Sequence, residues 1–71
     1  MVTFRVKIIP KGIVKEVSVP DKRNIKVHEL IRILGYTVED VVVTKDNKVL
    51  SEYDTINEGD EITVFTVFSG G

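Results

Sequence analysis

One segment of this chain has the apolar spacing of a helix, whereas most other apolar residues follow the period of a β-strand. The helical stripe has apolar residues at i, i+3, i+4 and i+7, namely Val27, Leu30, Ile31 and Leu34. At the start of the chain, apolar residues alternate with polar ones, at Val2, Phe4, Val6 and Ile8. One helix can cover only one face of a sheet. The patterns therefore predict a sheet with a single helix packed across one face.

Turn signals set the expected order of the elements. Pro10-Lys11-Gly12 predicts a hairpin turn ending in a left-handed glycine, so a second strand at residues 13–19 runs antiparallel to the first. Asn24 is the predicted N-cap of the helix. Gly35 is expected to end the helix in the left-handed conformation, with Tyr36 folding back on the last turn. Further strands are predicted at residues 41–44, 49–50 and 62–68.

The last predicted strand is apolar at nearly every position, which indicates either a central strand or an outer face used for interaction. By alternation, Ile62 and Val64 point inward, whereas Thr63, Phe65 and Val67 point outward. The predicted fold is α+β, a mixed sheet of four or five strands with one helix.

Composition and charge exclude several classes of function. The 71 residues make one domain, and the absence of Cys excludes disulfides, thiolate metal sites and a cysteine nucleophile. Ten basic and eleven acidic residues are scattered, so no direct nucleic-acid partner is expected. The sequence has neither an apolar run of about 20 residues nor a signal peptide, and a cytoplasmic protein without a membrane partner is predicted. No cofactor is expected, and the free protein is predicted to be a monomer.

The sequence offers no set of catalytic residues. His28 lies off the apolar stripe and is interpreted as a solvated helix residue. An acidic group near the last turn is interpreted as solvated charge, at Asp54, Glu58, Asp60 and Glu61. Neither a calcium-loop template nor a phosphate-binding GxxxxGK[ST] loop is present. The chain is therefore predicted not to be an enzyme, and any ATP-dependent step belongs to a partner.

The element order and the ending of the chain resemble the β-grasp sulfur carriers and ubiquitin-like modifiers. The residues that carry this resemblance are the helix ending at Gly35, the run Ile56-Asn57-Glu58-Gly59-Asp60-Glu61-Ile62 and the final Gly70-Gly71. Relatives of this type include the thiamine-type sulfur carrier, the small subunit of molybdopterin synthase and the archaeal small modifier proteins. The chain lacks the proline that typically precedes the diglycine in the molybdopterin synthase subunit, and the arginines found near the tail of ubiquitin.

The resemblance implies a β-grasp domain at residues 1–68 and a flexible Ser-Gly-Gly tail at residues 69–71. In such a domain the first and last strands are expected to be parallel neighbours, joined by a right-handed crossover. In such proteins an ATP-dependent adenylating enzyme activates the last carboxylate, here that of Gly71, and sulfur then displaces AMP to give a thiocarboxylate. Gly70 and Ser69 would be needed for activation, since a tail without bulky side chains can enter a narrow channel. The sulfur would pass to an acceptor enzyme for cofactor synthesis or tRNA thiolation.

Three alternatives remain open at this point. Gly71 could be conjugated to lysines of target proteins, the domain could be a binding module without tail chemistry, or the last residues could be an ordinary frayed terminus.

A partner enzyme also needs a surface to bind. Phe65 and Val67, rimmed by Arg5 and Lys7 of the first strand, form the predicted partner-binding patch, which resembles the apolar sheet face of ubiquitin-like proteins. The alternative is that a loop covers Phe65.

Overall fold

The structure, a computed structural model, describes residues 1–67. In this part of the chain lie seven strands, one α-helix and one 3-10 helix: β1 (Val2–Ile9), β2 (Ile13–Val19), β3 (Asn24–Lys26), α1 (Val27–Leu34), the 3-10 helix (Val38–Asp40), β4 (Val41–Lys45), β5 (Lys48–Val49), β6 (Thr55–Asn57) and β7 (Glu61–Thr66). Five strands form one sheet in the order β2-β1-β7-β4-β5, and β3 pairs with β6 in a second, two-stranded sheet.

The main sheet is mixed, as predicted. β1 is antiparallel to β2 and parallel to β7, and β7 is antiparallel to β4. The last strand of the described chain thus lies in the middle of the sheet, with a neighbour on each side. This is the arrangement of a β-grasp fold, so the predicted fold class is confirmed.

The core lies between the inner face of this sheet and α1. Its buried side chains alternate along β1 and β7 and follow the predicted helical stripe; they are Val2, Phe4, Val6, Ile8, Ile25, Val27, Leu30, Ile31, Val41, Val43, Ile56, Ile62 and Val64. Leu34 packs against this cluster but is only partly buried. The predicted inward parity of Ile62 and Val64 is confirmed.

The start of α1 differs from the prediction. Asn24 is not the N-cap, because it lies in β3 and pairs with Asn57 of β6. Lys26 occupies the N-cap position, and its side chain makes no capping hydrogen bond. Two N–H groups of the first turn instead donate to backbone carbonyls of the loop before β6: Val27 N–H to Asp54 O at 2.9 Å and His28 N–H to Glu52 O at 3.0 Å. A distant loop thus satisfies donors that a side chain usually caps.

The end of α1 matches the prediction. Gly35 has φ 85°, a left-handed conformation that costs a residue with a Cβ about 1–2 kcal/mol. The Gly35 N–H donates to Arg32 O and the Tyr36 N–H to Ile31 O, both at 3.0 Å. These two bonds define a Schellman motif, and Tyr36 packs against the core as its apolar partner.

Candidate functional site

An apolar row crosses the outer face of the main sheet, the face that points away from α1. Phe65 of β7 is at its centre, paired with Ile9 of β1 on one side and with Val42 of β4 on the other. Paired residues on neighbouring strands point to the same face, so these three side chains are contiguous. We call them the Phe65 row. Phe65 is 41% exposed, so no loop within residues 1–67 buries it.

The next row towards the start of β7 is more polar. Thr63 pairs with Lys7 of β1 and with Thr44 of β4. The row ends in exposed valines on the outer strands, because Lys7 pairs with Val14 and Thr44 with Val49. Lys7 is therefore one row away from Phe65, close enough to border the apolar surface.

Arg5 lies farther from the Phe65 row than Lys7. It pairs with Glu61 of β7 and with Glu16 of β2, so a carboxylate flanks it on each side. Glu61 precedes Phe65 by four residues, a separation of about 13 Å along a strand. The sheet thus brings Phe65 together with Lys7, whereas Arg5 belongs to a charged row at the other end of the same face.

Two residues of the Phe65 row were missing from the sequence prediction. Ile9 has the outward parity of Arg5 and Lys7, and Val42 lies between the buried Val41 and Val43. Alternation along each strand would have placed both on the outer face. Only the register between strands shows that they flank Phe65.

The end of β7 is held on both sides. The Thr66 hydroxyl donates to Ile9 O at 3.2 Å, which ties β7 to β1. On the opposite side, the Val67 N–H donates to Asp40 O at 2.9 Å. Val67 is 58% exposed. Ser69, Gly70 and Gly71, the predicted tail, lie outside the described residues, as does Phe68.

The acidic turn before β7 has a structural role beyond solvation. Asp60 Oδ2 accepts a hydrogen bond from the Asn57 N–H at 2.8 Å, and Asp60 Oδ1 forms an ion pair with Lys45 Nζ at 3.0 Å. The Glu58 carboxylate accepts from the Thr3 N–H at 2.8 Å, and Gly59, with φ +79°, donates its N–H to Thr3 O at 2.8 Å. The turn therefore joins the start of β1 to the start of β7.

Comparison with known proteins identifies the family to which this fold and turn belong. A model of the ThiS family matches residues 6–71. This chain belongs to the ThiS family. The family consists of β-grasp sulfur carriers, small ubiquitin-like proteins that are in general not enzymes and work with activating enzymes.

Solved structures confirm the ubiquitin-like fold of this ThiS-family chain. The ubiquitin of Caldiarchaeum subterraneum is 16% identical, with a TM-score of 0.70 over 99% of this chain and 98% of that chain. The ubiquitin-like domain of Plasmodium falciparum Dsk2 is 16% identical, with a TM-score of 0.72 over 92% and 96%. ATBAG1, solved in complex with HSP70, is 13% identical with a TM-score of 0.74; the match covers 93% of this chain and only 40% of that one.

The ionisable side chains near α1 of the ThiS-family chain form local pairs. His28 is half-buried and meets Tyr53 edge to face, with ring centroids 6.4 Å apart. The Lys22 ammonium, 2.7 Å from Glu29 Oε2, lowers the pKa of that carboxyl, and a hydrogen bond with Glu52 raises the pKa of Tyr53.

Residues 1–67 contain no group of three side chains placed to hold a metal ion. None of their helices has both the length and the apolar character needed to cross a membrane.

Proposed function

We propose that this chain carries sulfur as a thiocarboxylate on Gly71. An ionised carboxylate is a poor electrophile at neutral pH, because its pKa is near 3.5. An ATP-dependent adenylating enzyme would join this carboxylate to AMP and release pyrophosphate. A sulfur nucleophile would then attack the carbonyl carbon, and AMP would leave. The observation that supports this proposal best is the ThiS family match, which extends to residue 71.

The geometry of β7 supports a partner that binds at this end of the sheet. The hydrogen bonds of Thr66 and Val67 fix the strand up to residue 67. Four residues follow, and four residues span at most about 14 Å. An enzyme that reaches the Gly71 carboxylate must therefore come close to the end of β7 and to the Phe65 row.

The proposed contact surface consists of the Phe65 row together with Val67 and Lys7. Phe65 and Val67, 41% and 58% exposed, offer apolar area at the end of β7. Aromatic residues in such positions often supply much of the binding energy of an interface. Lys7 would pair with an acidic residue of the partner at the edge, and Arg5 would reach only the far border of the contact.

Because the chain has no Cys, the tail chemistry can be tested directly by labelling the sulfur that it gains. We expect the purified chain, incubated with an adenylating enzyme of this family, ATP and a sulfur donor, to gain the mass that corresponds to replacement of one oxygen by sulfur. An alkylating reagent that reacts with sulfur anions would then label the product, and fragmentation would place the label on Gly71. Since the chain has no thiol of its own, no other group of this chain competes for the label.

The matched control is the same chain without Gly71. It should fold as the parent does and remain unlabelled. Labelling of this variant would refute the proposal. The proposal would also be refuted if the intact chain gained neither an adenylate nor sulfur with an enzyme that activates its own carrier. Gly-Gly remnants on lysines of other proteins in the native cells, with no thiocarboxylate, would instead assign the chain to protein modification.

A further inference from the structure

The main sheet has two edges of very different length. β2 forms one edge over seven residues, Ile13–Val19, whereas β5 forms the other over only two, Lys48–Val49. A long edge strand presents unpaired backbone groups to which another extended chain can bind, and short edges avoid this. β2 is therefore the place where the sheet of residues 1–67 can accept a further strand.

The hydrogen bonds of β1 show which backbone groups of β2 are open. In an antiparallel pair, every second residue directs its N–H and C=O to its partner strand. The N–H groups of Thr3 and Arg5 donate to the turn before β7, on the side of β1 away from β2. The residues of β2 that pair with them, Ser18 and Glu16, therefore do not receive these hydrogen bonds. By alternation, Val14 receives none from β1 either. The open N–H and C=O groups of the edge belong to Val14, Glu16 and Ser18.

The side chains at the hairpin end of this edge combine apolar area with positive charge. Ile13 is 41% exposed and Val14 is 62% exposed. Three exposed lysines surround them, at Lys7, Lys11 and Lys15. None of the three forms an ion pair with an acidic side chain of residues 1–67. A segment with β-branched residues and acidic residues would complement this end of the strand.

A second copy of the chain is a poor occupant of the edge. The two-fold antiparallel pairing that uses all three open residues sets Val14 opposite Ser18 and Glu16 opposite Glu16 of the other copy. Like charges directly opposite each other destabilise a strand pair. The charge pattern of the edge thus favours a different protein as its partner.

We propose that β2 binds an extended, acidic and apolar segment of a partner protein by adding it to the sheet. Backbone hydrogen bonds to Val14, Glu16 and Ser18 would provide the binding register, and the lysines would select acidic residues beside the hairpin. β2 lies two strand spacings from β7, a distance on the order of 10 Å. A segment of this kind therefore adds a contact that the proposed activation through Gly71 does not require.

A pair of synthetic peptides tests the proposal. The probe has four alternating Val and Thr residues followed by three Asp, and the matched peptide has Lys in place of Asp. Titrated into the isotope-labelled full chain, the Asp peptide should shift the amide signals of β2 and slow hydrogen exchange at Val14, Glu16 and Ser18. We expect it to bind at least ~10-fold more tightly than the Lys peptide at low salt, with a smaller difference at high salt.

Two variants of the carrier test the mechanism separately. Glu16→Pro removes one open N–H without removing a bond to β1, and proline is tolerated in an edge strand when its missing N–H faces solvent; we expect at least ~10-fold weaker binding. The double variant Lys11→Glu, Lys15→Glu leaves the backbone unchanged and should bind the Asp peptide at least ~5-fold more weakly. The second variant keeps the test decisive if Glu16→Pro does not fold.

Three results would overturn the proposal: equal binding of the two peptides, signal changes confined to the Phe65 row, or no binding at millimolar peptide. Self-association of the chain through β2, detected by sedimentation, would also overturn it. Since the peptides do not involve the tail, the carrier without Gly71 should bind them as the parent does. Failure of this inference is thus separable from failure of the proposed function.

Discussion

Asp60 combines more structural contacts than any other charged residue described above. One carboxylate oxygen accepts the Asn57 N–H, the other meets Lys45, and its backbone carbonyl accepts the Arg5 N–H at 3.0 Å. Its side chain is only 14% exposed, so these contacts are less screened by water than those of a typical surface charge. Asp60 thereby connects the turn before β7 to β1 and to the end of β4.

Two replacements of Asp60 should distinguish the contribution of its hydrogen bond to stability from that of its charge. Asp60→Ala leaves the Asn57 N–H without its acceptor and Lys45 without its partner, so we expect the free energy of unfolding to fall by about 1–3 kcal/mol. Asp60→Asn retains an oxygen that can accept from Asn57 and should cost less. Urea unfolding of the two variants measures the difference. An Ala variant as stable as the parent would show that the turn does not depend on this side chain.

Among the elements, α1 has two ends that are stabilised in different ways. Its C-terminal end depends on a local motif, with Gly35 and Tyr36 directly after the last helical turn. Its N-terminal end depends on the carbonyls of Glu52 and Asp54, residues more than twenty positions away in the chain. Asp54 also accepts a hydrogen bond from the Ser51 N–H at 2.7 Å, which closes the loop that presents those carbonyls.

This difference predicts unequal effects of two alanine substitutions. Asn24→Ala should change the free energy of unfolding by less than about 0.5 kcal/mol, since a true N-cap would cost about 1 kcal/mol and Asn24 is not one. Gly35→Ala should cost about 1–2 kcal/mol because of its positive φ, although no atom lies within 4 Å of the added Cβ. Thermal and urea unfolding test both. A large loss of stability in Asn24→Ala would show that Asn24 does cap the helix.

Features that depend on neighbouring residues could be predicted from the sequence, whereas features that depend on distant contacts could not. The alternation in β1 and β7, the helical stripe and the Gly35 cap each leave a signal within a few neighbouring residues, and all were predictable. The pairing of β3 with β6 was not, because it joins two three-residue segments about thirty positions apart. The same limit applies to the Phe65 row: parity places Phe65 outward, but only the strand register brings Ile9 and Val42 beside it.

For the molecule as a whole, the two faces of the sheet differ in how deeply their apolar side chains are buried. The inner face and α1 supply the buried core, whereas the Phe65 row exposes apolar area on the opposite face. A change on the outer face can therefore alter binding without removing core contacts. This separation makes the proposed partner surface testable by a single charged substitution.

Phe65→Glu places a negative charge at the centre of the proposed contact surface. If an adenylating enzyme binds there, we expect formation of the Gly71 adenylate to slow at least ~10-fold, as for truncation of an interface hot spot. Unfolding should change by no more than about 1 kcal/mol, because the side chain is 41% exposed. Pyrophosphate release under single-turnover conditions measures the adenylation step.

Ile33→Glu is the matched control for that substitution. Ile33 lies on α1, is 53% exposed and undergoes the same change from apolar to acidic. It should leave adenylation unchanged. If the two variants react at the same rate, the Phe65 row is not the surface that the enzyme contacts.

The parallel pairing of β1 with β7 affects how the domain responds to a pulling force at the end of β7. A pull on the chain beyond Val67, opposed by the rest of the domain, loads β7 along its length. The backbone hydrogen bonds from β7 to β1 and β4 then resist this shear all at once. The hydrogen bonds of a hairpin whose two ends are pulled apart break one after another. If partner enzymes draw the end of this protein into a narrow cleft, as proposed, we expect the domain behind it to keep its shape.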